Sequence, residues 1–285
     1  MQIIDGKAIA EKIKDEIVKE IICDKTAKEL LTCSRPNLAI ILVGEREDSK
    51  LYVSLKEREA RRCGIDTSIY KCKEDIAEQE LLDMVGFLNN DEAIDAILIQ
   101  LPLPKNLNTN KTIAAIKPEK DLDGFHPDNL AKISEDQVKI MPPVFGAVLE
   151  CVDNLKYDLK NEKVGIIVNS EIFGNNLAKV LKNRGAKVEV VKSDDEKLKD
   201  KIKNKDVLIS AVGKARFING DMIKKGAVLI DIGITKENDR VVGDFDFEDV
   251  DDMASFITPV PGGIGPLTIA RALRNTVDIW KKKNK

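Results

Sequence analysis

The feature that most constrains the fold is a series of short apolar runs that alternate with helical patterns along the chain. In the first half of the 285 residues, the strand-like runs are NLAIILVG, residues 65–70 and AIDAILIQLPLP, and helical periodicity covers 6–28, 49–63 and 79–89. Proline cannot donate to a strand ladder, so the third strand should end before Pro102. This β-α-β-α-β order predicts a mostly parallel sheet with helices on its faces.

A second series of the same kind follows the segment MPPVFG at 141–146. Its predicted strands VGIIVN, KVEVVK, DVLISAVG and AVLIDIG are short, apolar and rich in β-branched residues, and helical patterns separate them. The chain is therefore predicted to be an α/β protein of two domains, the second being a doubly wound, Rossmann-like sheet. The predicted domains are 1–141 and 142–266, and a last helix over 267–285 is expected to pack back on the first.

Composition excludes several classes of protein. Hydrophobic residues make up 43% and charged residues 33% of the chain, with both signs mixed, which is typical of a globular protein. A net charge of -3 gives no general attraction to nucleic acid or to an anionic membrane surface. The N-terminus has no signal-peptide core, and no apolar run approaches membrane-spanning length. We expect a cytoplasmic protein without nucleic-acid or membrane partners.

Cysteine and histidine usage narrows the chemistry further. The five cysteines include no C-x-x-C pair and are odd in number, so we expect reduced thiols rather than a closed disulfide set. A zinc site needs clustered Cys or His ligands, and the sequence has a single histidine, His126. The same scarcity disfavours a Ser-His-Asp or Cys-His nucleophile. No metal is predicted, and the chemistry must come from Lys, Asp, Tyr, Gln or a cofactor.

Two segments of the first half place polar side chains where a parallel sheet binds ligands. In SKLYVSLKEREARRCG, Tyr52 and Lys56 lie four residues apart and would share one face of a helix. Gln100 in LIQLPLP follows largely apolar positions, so we expect its side chain at the carboxyl end of a strand, pointing into the crevice. From spacing alone, an amphipathic helix with a half-buried tyrosine and a solvated lysine is the more common explanation of the pair.

Two loops carry further candidates. DLDGF contains Asp121 and Asp123 before a glycine, a pattern that also forms ordinary solvated turns. TPVPGGIGPLT groups three prolines and three glycines just before a helix, and it includes Pro261, Gly262 and Gly263. Prolines stiffen such a loop and glycines let backbone groups approach a flat ligand closely, but a rigid linker between domains explains the pattern equally well.

Several long segments resemble the signature segments of the bifunctional methylenetetrahydrofolate dehydrogenase/cyclohydrolase family. They are SKLYVSLKEREARRCGI, ILIQLPLP, DLDGFHP, KKGAVLIDIGI, VVGDFDF and ITPVPGGIGPLT, in the family's order and spacing, and the resemblance covers essentially the whole chain. It implies an N-terminal folate domain, a C-terminal Rossmann domain, an active-site cleft between them, and a homodimer. The implied enzyme oxidises 5,10-methylenetetrahydrofolate with NADP and hydrolyses the methenyl product to 10-formyltetrahydrofolate.

The resemblance also implies roles for residues at matching positions. Lys56 would be the catalytic amine, Gln100 its orienting partner, and Tyr52 a ring that stacks against the folate. A lysine in an apolar cleft loses solvation of its ammonium form, so its pKa falls and a neutral amine can act as a general base. Asp123 would anchor the pterin by accepting two neighbouring N–H groups. Substrate would also contact Pro261, Gly262 and Gly263.

A dinucleotide site follows from the same resemblance, with NADP as the expected cofactor and NAD as the alternative. The residues at the matching positions are Asn169, Ser170, Gly174, Ser193 and Ile234. A helix N-terminus after the first strand of such a domain offers N–H donors to the pyrophosphate.

Around that site the sequence departs from the family pattern. The family usually has a G-R-S-x-x-V-G-x-P-like turn, whereas this chain reads V-N-S-E-I-F-G-N-N, with Val168 replacing the first glycine. A β-branched residue resists a positive φ, so we expect Val168 to obstruct the pyrophosphate and weaken binding of either cofactor.

Asp194 and Asp195 would repel a 2′-phosphate, although Lys192 offers an offsetting charge. The family's P-C-T-P-x-G-like segment also differs, reading MPPVFG. We expect only a small preference for NADP over NAD.

These departures leave three functions open. The first is the bifunctional enzyme. The second is a cyclohydrolase with weak or lost dehydrogenase activity, since the folate segments match the family better than the dinucleotide turn does. The third is a noncatalytic folate-binding protein, which the combination of Lys56 and Gln100 disfavours because binding alone does not need a tuned amine.

Overall fold

The computed structural model describes residues 1–27, 35–133, 140–238 and 240–284. Its helices are α1 (Gly6–Ala27), α2 (Glu47–Arg62), α3 (Glu78–Asn90), α4 (Thr109–Ala114), α5 (Pro127–Ala131), α6 (Pro143–Asn154), α7 (Glu171–Asn183), α8 (Leu198–Ile202) and α9 (Ile264–Lys283). Its strands are β1 (Gln2–Ile3), β2 (Asn37–Val43), β3 (Asp66–Cys72), β4 (Ala96–Ile99), β5 (Lys163–Val168), β6 (Lys187–Lys192), β7 (Val207–Ala211), β8 (Val228–Asp231), β9 (Thr235–Glu237), β10 (Arg240–Val242) and β11 (Phe256–Ile257).

The chain divides into two compact units. One, here called the three-stranded unit, consists mainly of Glu11–Lys132 and Ile269–Lys285. The other, the six-stranded unit, consists mainly of Met1–Ala10 and Val144–Thr268. The predicted two-domain α/β fold class is confirmed, and the last helix is grouped with the three-stranded unit from Ile269 onward.

The three-stranded unit is built on a parallel sheet of order β3-β2-β4. Strand β2 is buried from Leu38 to Val43, as expected for the central strand of a sheet covered on both faces. One face packs against α3 through Leu81, Val85 and Leu88. The chain passes to one side of β2 to form β3 and to the other to form β4, so the switch point where ligands bind lies between β2 and β4.

The six-stranded unit has the parallel order β1-β11-β8-β7-β5-β6, with β9 and β10 forming a separate antiparallel hairpin. Its switch point lies between β5 and β7, because β6 lies on one side of β5 and β7 on the other. The seven strands predicted from apolar runs are all present. Strands β1 and β11, of two residues each, and β9 and β10, of three residues each, were not predicted because such short segments have no readable periodicity.

The structure also bears on two predictions made from composition. Among the described residues, no helix is both long and apolar enough to cross a membrane. Of the cysteines whose side chains the structure describes, Cys63, Cys72 and Cys151 are buried free thiols. Cys33 and the predicted end of the first helix at Lys28 lie outside the described residues.

Candidate functional site

Lys56 and Gln100 meet at the switch point of the three-stranded unit. Gln100 directly follows β4, and its backbone N–H donates to the Ile41 carbonyl of β2 at 2.9 Å. The Lys56 Nζ, on α2, donates to Gln100 Oε1 at 3.0 Å. The Gln100 Nε2 donates to the Leu101 carbonyl at 2.7 Å. Because that second bond fixes which end of the amide faces Leu101, the oxygen is held toward the lysine.

The surroundings of Lys56 lower the pKa of its amine. Burial disfavours the ammonium form and lowers the pKa of Lys56 from its ordinary value, while the negative charge of Asp123 opposes this. Burial raises the pKa of Asp123 to about 6, an effect that the Lys56 charge reduces and the Asp121 charge increases. At neutral pH the site therefore combines a largely ionised carboxylate with a lysine that loses its proton more easily than a surface lysine.

The two carboxylates of DLDGF have different roles in the structure. Asp121 is 1% exposed, and its oxygens accept hydrogen bonds from the backbone N–H groups of Gly124 and His126 and from Asn129 Nδ2 at 2.8–3.1 Å. It holds the loop in shape. Asp123 is half-buried, and among the described residues its carboxylate accepts no hydrogen bond from the loop. Asp123 is therefore the carboxylate available to a ligand.

Tyr52 lies one helical turn before Lys56 on α2 and is half-buried. Burial raises the pKa of its phenol, and the charge of Asp48 adds to the effect. The ring therefore stays neutral at physiological pH and keeps an exposed portion that a flat ligand can cover.

A small recess lies beside the Asp123 loop. Its wall is largely apolar and consists of Ile97, Ile99, Leu101, Ile113, Ile116, Asp121, Asp123 and Phe125. These apolar neighbours account for the raised pKa of Asp123, since they replace water around its charge.

The loop that contains Pro261, Gly262 and Gly263 belongs to the six-stranded unit. Gly262 has φ +111°, a conformation that favours glycine. A Cβ on Gly6 would lie 2.0 Å from the Gly263 carbonyl oxygen, so the start of α1 packs directly on this loop. Gly262 and Gly263 are buried and Pro261 is exposed. A Cβ on Gly263 would lie 2.7 Å from the Pro259 carbonyl oxygen, so Gly263 serves close packing within this unit, whereas Gly262 serves the backbone conformation. Contact of these residues with substrate stays a prediction.

Val168 does not occupy the turn that the sequence suggested. It is the last residue of β5, pairs with Lys192 and Ala211 in the sheet, and is absent from the residues described with positive φ. Its side chain is 1% exposed and packs beneath α7, where its Cγ2 would lie 2.8 Å from a Cβ on Gly174. The expected obstruction of the pyrophosphate by Val168 is therefore wrong, because the side chain points toward the helix.

Gly174 allows α7 to approach the sheet closely. A Cβ at this position would lie 2.6 Å from Val190 Cγ1 and 2.8 Å from Val168 Cγ2, closer than side chains tolerate. Ser170 caps the same helix, with its Oγ accepting from the Phe173 N–H at 3.4 Å. The first turn of α7 is thus held against the carboxyl end of β5, the position at which a Rossmann domain binds pyrophosphate.

Asn169 and Ser193 connect the strands around the switch point of the six-stranded unit. Ser193 Oγ donates to Asn169 Oδ1 at 2.5 Å, and Asn169 Nδ2 donates to the Val212 carbonyl at 2.8 Å. These bonds link the ends of β5, β6 and β7. The structure thus brings together two of the predicted cofactor residues, whereas Ile234 lies beyond β8 and is 49% exposed.

Charges beyond β6 are paired in a way that the sequence did not reveal. Lys192 forms an ion pair with Glu171 of α7 at 2.7 Å, and this contact raises the pKa of the lysine. Asp195 pairs with Lys201 at 2.5 Å, whereas Asp194 is exposed. Lys192, which was expected to offset the charges of Asp194 and Asp195, is therefore already paired with Glu171.

Two buried carboxylates, which the sequence analysis did not select, organise the loops after β7 and β8. Asp244 accepts from Ser210 Oγ and from the backbone N–H groups of Val212, Gly213 and Lys214. Asp231 accepts from the N–H groups of Gly233, Asp244 and Phe245. Burial raises the pKa of Asp231 to about 7 against these hydrogen bonds. Asp244 lies in the segment VVGDFDF, but its partners are distant in sequence, so no local pattern indicated the role.

Among the residues that the structure describes, no group of three or more His, Cys, Asp or Glu side chains could hold a metal ion.

Comparisons with known proteins bear on both units. Residues 4–123 match the catalytic domain of the tetrahydrofolate dehydrogenase/cyclohydrolase family, and residues 142–284 match its NAD(P)-binding domain. The chain is 39% identical to the bifunctional protein FolD of Nitratiruptor sp., with 100% of each chain covered. It is 41% identical to FolD of Nautilia profundicola, over 99% of this chain and 98% of the relative.

Solved structures of similar fold point to the same family as these relatives. The bifunctional FolD enzyme of Campylobacter jejuni has a TM-score of 0.93 and 36% identity, with 99% of each chain covered. The Trypanosoma brucei methylenetetrahydrofolate dehydrogenase-cyclohydrolase, solved with NADP cofactor and an inhibitor, has a TM-score of 0.94 and 33% identity, over 99% of this chain and 98% of that one. Together with the family matches to both units, these similarities show that the chain belongs to the tetrahydrofolate dehydrogenase/cyclohydrolase family.

Proposed function

We propose that this family member oxidises 5,10-methylenetetrahydrofolate to the 5,10-methenyl form with NADP and hydrolyses that product to 10-formyltetrahydrofolate, using Lys56, Gln100, Asp123 and Tyr52. The observation that carries the proposal is the 3.0 Å hydrogen bond between Lys56 Nζ and Gln100 Oε1 at the switch point of the three-stranded unit. It joins a lysine of lowered pKa to a fixed, uncharged partner where this fold binds ligands.

Lys56 acts as the general base in the hydrolytic step. Water attacks the methenyl carbon, and as the new C–O bond forms, the neutral lysine amine takes a proton from the water. The hydroxyl group of this adduct then loses its proton to become the formyl C=O, the C–N bond to the ring nitrogen breaks with its electron pair left on that nitrogen, and the nitrogen takes up the proton. The formyl group stays on the other nitrogen, and the one proton released overall is the one that Lys56 took. Gln100 orients the amine without adding charge, so the pKa of Lys56 stays low.

Asp123 and Tyr52 hold the substrate. A carboxylate with apolar neighbours accepts two adjacent N–H groups of the pterin edge, which fixes the ring in one orientation. The half-buried Tyr52 ring lies one turn from Lys56 and provides a flat surface for stacking. Both contacts bring the one-carbon unit close to the amine.

The residues of the six-stranded unit fit a dinucleotide. Gly174 lets α7 lie against β5, and Ser170 caps the helix whose N–H groups would receive the pyrophosphate. A nicotinamide dinucleotide held there would supply the hydride acceptor that oxidation of the one-carbon unit requires. NADP is proposed because a structural relative contains it, and NAD remains the alternative because Lys192 is paired with Glu171.

The other two functions have less support. The main reason to expect loss of the dehydrogenase was obstruction by Val168, and its side chain lies beneath α7. A noncatalytic folate-binding protein has no need for the lowered pKa of Lys56 or for its bond to Gln100.

The direct test is a spectrophotometric assay of both half-reactions, with NADP and NAD in turn, on the parent chain and on Lys56→Met. The variant should keep the fold, because a helix tolerates methionine, and should lose methenyl hydrolysis by about 10²- to 10⁴-fold. Lys50→Met is the matched control, since Lys50 lies on the same helix but pairs at the surface with Glu45. Near-parental hydrolysis by Lys56→Met would overturn the proposal.

Two further expectations carry over as proposals. The family resemblance implies a homodimer, and light scattering of the purified chain would show twice the mass of 31.7 kDa. Cytoplasmic placement is proposed from the sequence pattern and would be checked by fractionating cells that express the protein.

A further inference from the structure

Asn275 on α9 contacts the backbone on both sides of the Asp123 loop. Its side chain is 3% exposed, and its Nδ2 donates to the Leu122 carbonyl at 2.9 Å and to the Met141 carbonyl at 2.8 Å. Both partners are acceptors, so only the NH₂ end of the amide can satisfy them, and it uses both of its hydrogens. A buried amide bridging two separate loop carbonyls restricts both loops at once.

The loop is restricted on its other sides as well. The Leu122 N–H donates to the Ile97 carbonyl of the sheet at 3.2 Å, and Asp121 accepts the next N–H groups along the loop. Gly124 has φ +66°, and a Cβ there would lie 3.0 Å from Pro142 N and 3.2 Å from the Ile140 carbonyl oxygen. The segment around Met141 thus presses directly on the residue that follows Asp123.

From these contacts we propose that Asn275 is a positioning residue for the substrate, which holds the Asp123 carboxylate in the orientation that receives the pterin. The proposal rests on the function proposed above. Asn275 fixes the carbonyl just before Asp123 and the segment packed just after it, so the carboxylate is offered in one direction before substrate arrives. Pre-organisation of this kind lowers the entropy lost on binding. It acts on substrate affinity, and Lys56 and Gln100 are untouched.

The experiment is a double-mutant cycle on the full chain with Asn275→Ala and Asp123→Asn. The dissociation constant for 5-formyltetrahydrofolate, a stable analogue, is measured by calorimetry, and KM and kcat by the methenyl hydrolysis assay. Asn275→Ala should raise the dissociation constant and KM roughly tenfold and change kcat less than about threefold. In the Asp123→Asn variant, adding Asn275→Ala should cause almost no further loss of affinity, because the carboxylate that Asn275 positions is already gone.

Thr276→Val is the matched control. Thr276 is fully buried on the same helix, and its Oγ1 donates to the Ala272 carbonyl within that helix, away from the loop. It should leave the dissociation constant unchanged. If Asn275→Ala does not fold, Asn275→Ser keeps one donor and should show a smaller loss of the same kind.

Three results would overturn the inference: unchanged affinity in the Asn275 variant, losses that add fully to those of Asp123→Asn, or a fall in kcat as large as the rise in KM. Full affinity in Asp123→Asn alone would instead remove the pterin anchor from the proposed function. The two failures are therefore distinguishable.

Discussion

Val168→Gly separates two explanations of the dinucleotide turn. If the valine obstructs the pyrophosphate, glycine should tighten binding of both NADP and NAD. The structure predicts otherwise, because Val168 is a regular strand residue whose side chain packs beneath α7 against Gly174. Glycine would therefore remove packing without opening the crevice.

The expected loss of stability follows from burial. Val168 is 1% exposed, and burial of a valine side chain stabilises a fold by about 1.5–3 kcal/mol. Glycine within a strand costs roughly a further 0.5–1 kcal/mol in backbone entropy. The free energy of unfolding should fall by about 2–4 kcal/mol. The dissociation constants for NADP and NAD should stay within about threefold of the parent, or weaken if α7 moves.

Urea denaturation measures the first quantity and calorimetric titration the second. Val164→Gly is a matched control, since Val164 is also fully buried on β5 but lies at the opposite end of the strand from the proposed cofactor turn. It should show a similar loss of stability and no effect on cofactor affinity. Tightening of both cofactors by about tenfold in Val168→Gly, with stability preserved, would refute the packing argument.

The other predictions concern charge. Folate affinity should fall as the pH drops through about 6, because the Asp123 carboxyl then gains a proton and no longer accepts both pterin N–H groups. Titrations from about pH 5 to 8 should show this fall in the parent and not in Asp123→Asn. Asp123→Ala should weaken binding of a folate analogue by about 1.5–3 kcal/mol in calorimetry, and unchanged affinity would exclude it as the anchor. Glu171→Gln should improve NADP over NAD by about three- to tenfold, because it frees Lys192 for the 2′-phosphate, and equal gains for both cofactors would contradict this. Asp194→Ser should act in the same direction in the same titration, and Asp195→Thr should do little because Asp195 is already paired.

The sequence was sufficient wherever a pattern repeats locally. Continuous apolar runs predicted β2 and β4 because central parallel strands are buried on both faces. The position of Gln100 after such a run predicted its place at the carboxyl end of the sheet, and the structure brings it to Lys56. Their roles came from family resemblance, since the spacing of Tyr52 and Lys56 is equally typical of an ordinary surface helix.

What the sequence could not supply depends on contacts between distant residues. DLDGF contains two similar carboxylates, and only the partners of Asp121 show that it holds the loop while Asp123 stays available. The prediction for Val168 failed because a family glycine was assumed to mark a positive φ, whereas this chain continues its strand there. Asn275 lies 153 residues from Leu122, so no motif could have linked them.

The buried pair Asp231 and Asp244 limits how this unit can be redesigned. A Cβ on Gly233 would lie 2.0 Å from Asp244 Oδ1, and a Cβ on Gly243 would lie 2.0 Å from Asp231 Oδ2. Each carboxylate thus occupies the space that a side chain at one glycine would need, so neither glycine can be exchanged while the acid facing it remains. A loop grafted after β7 or β8 must therefore present the backbone N–H groups from which Asp244 or Asp231 accepts. Transferring residues 243–245 together with both loops keeps these two sets of hydrogen bonds intact.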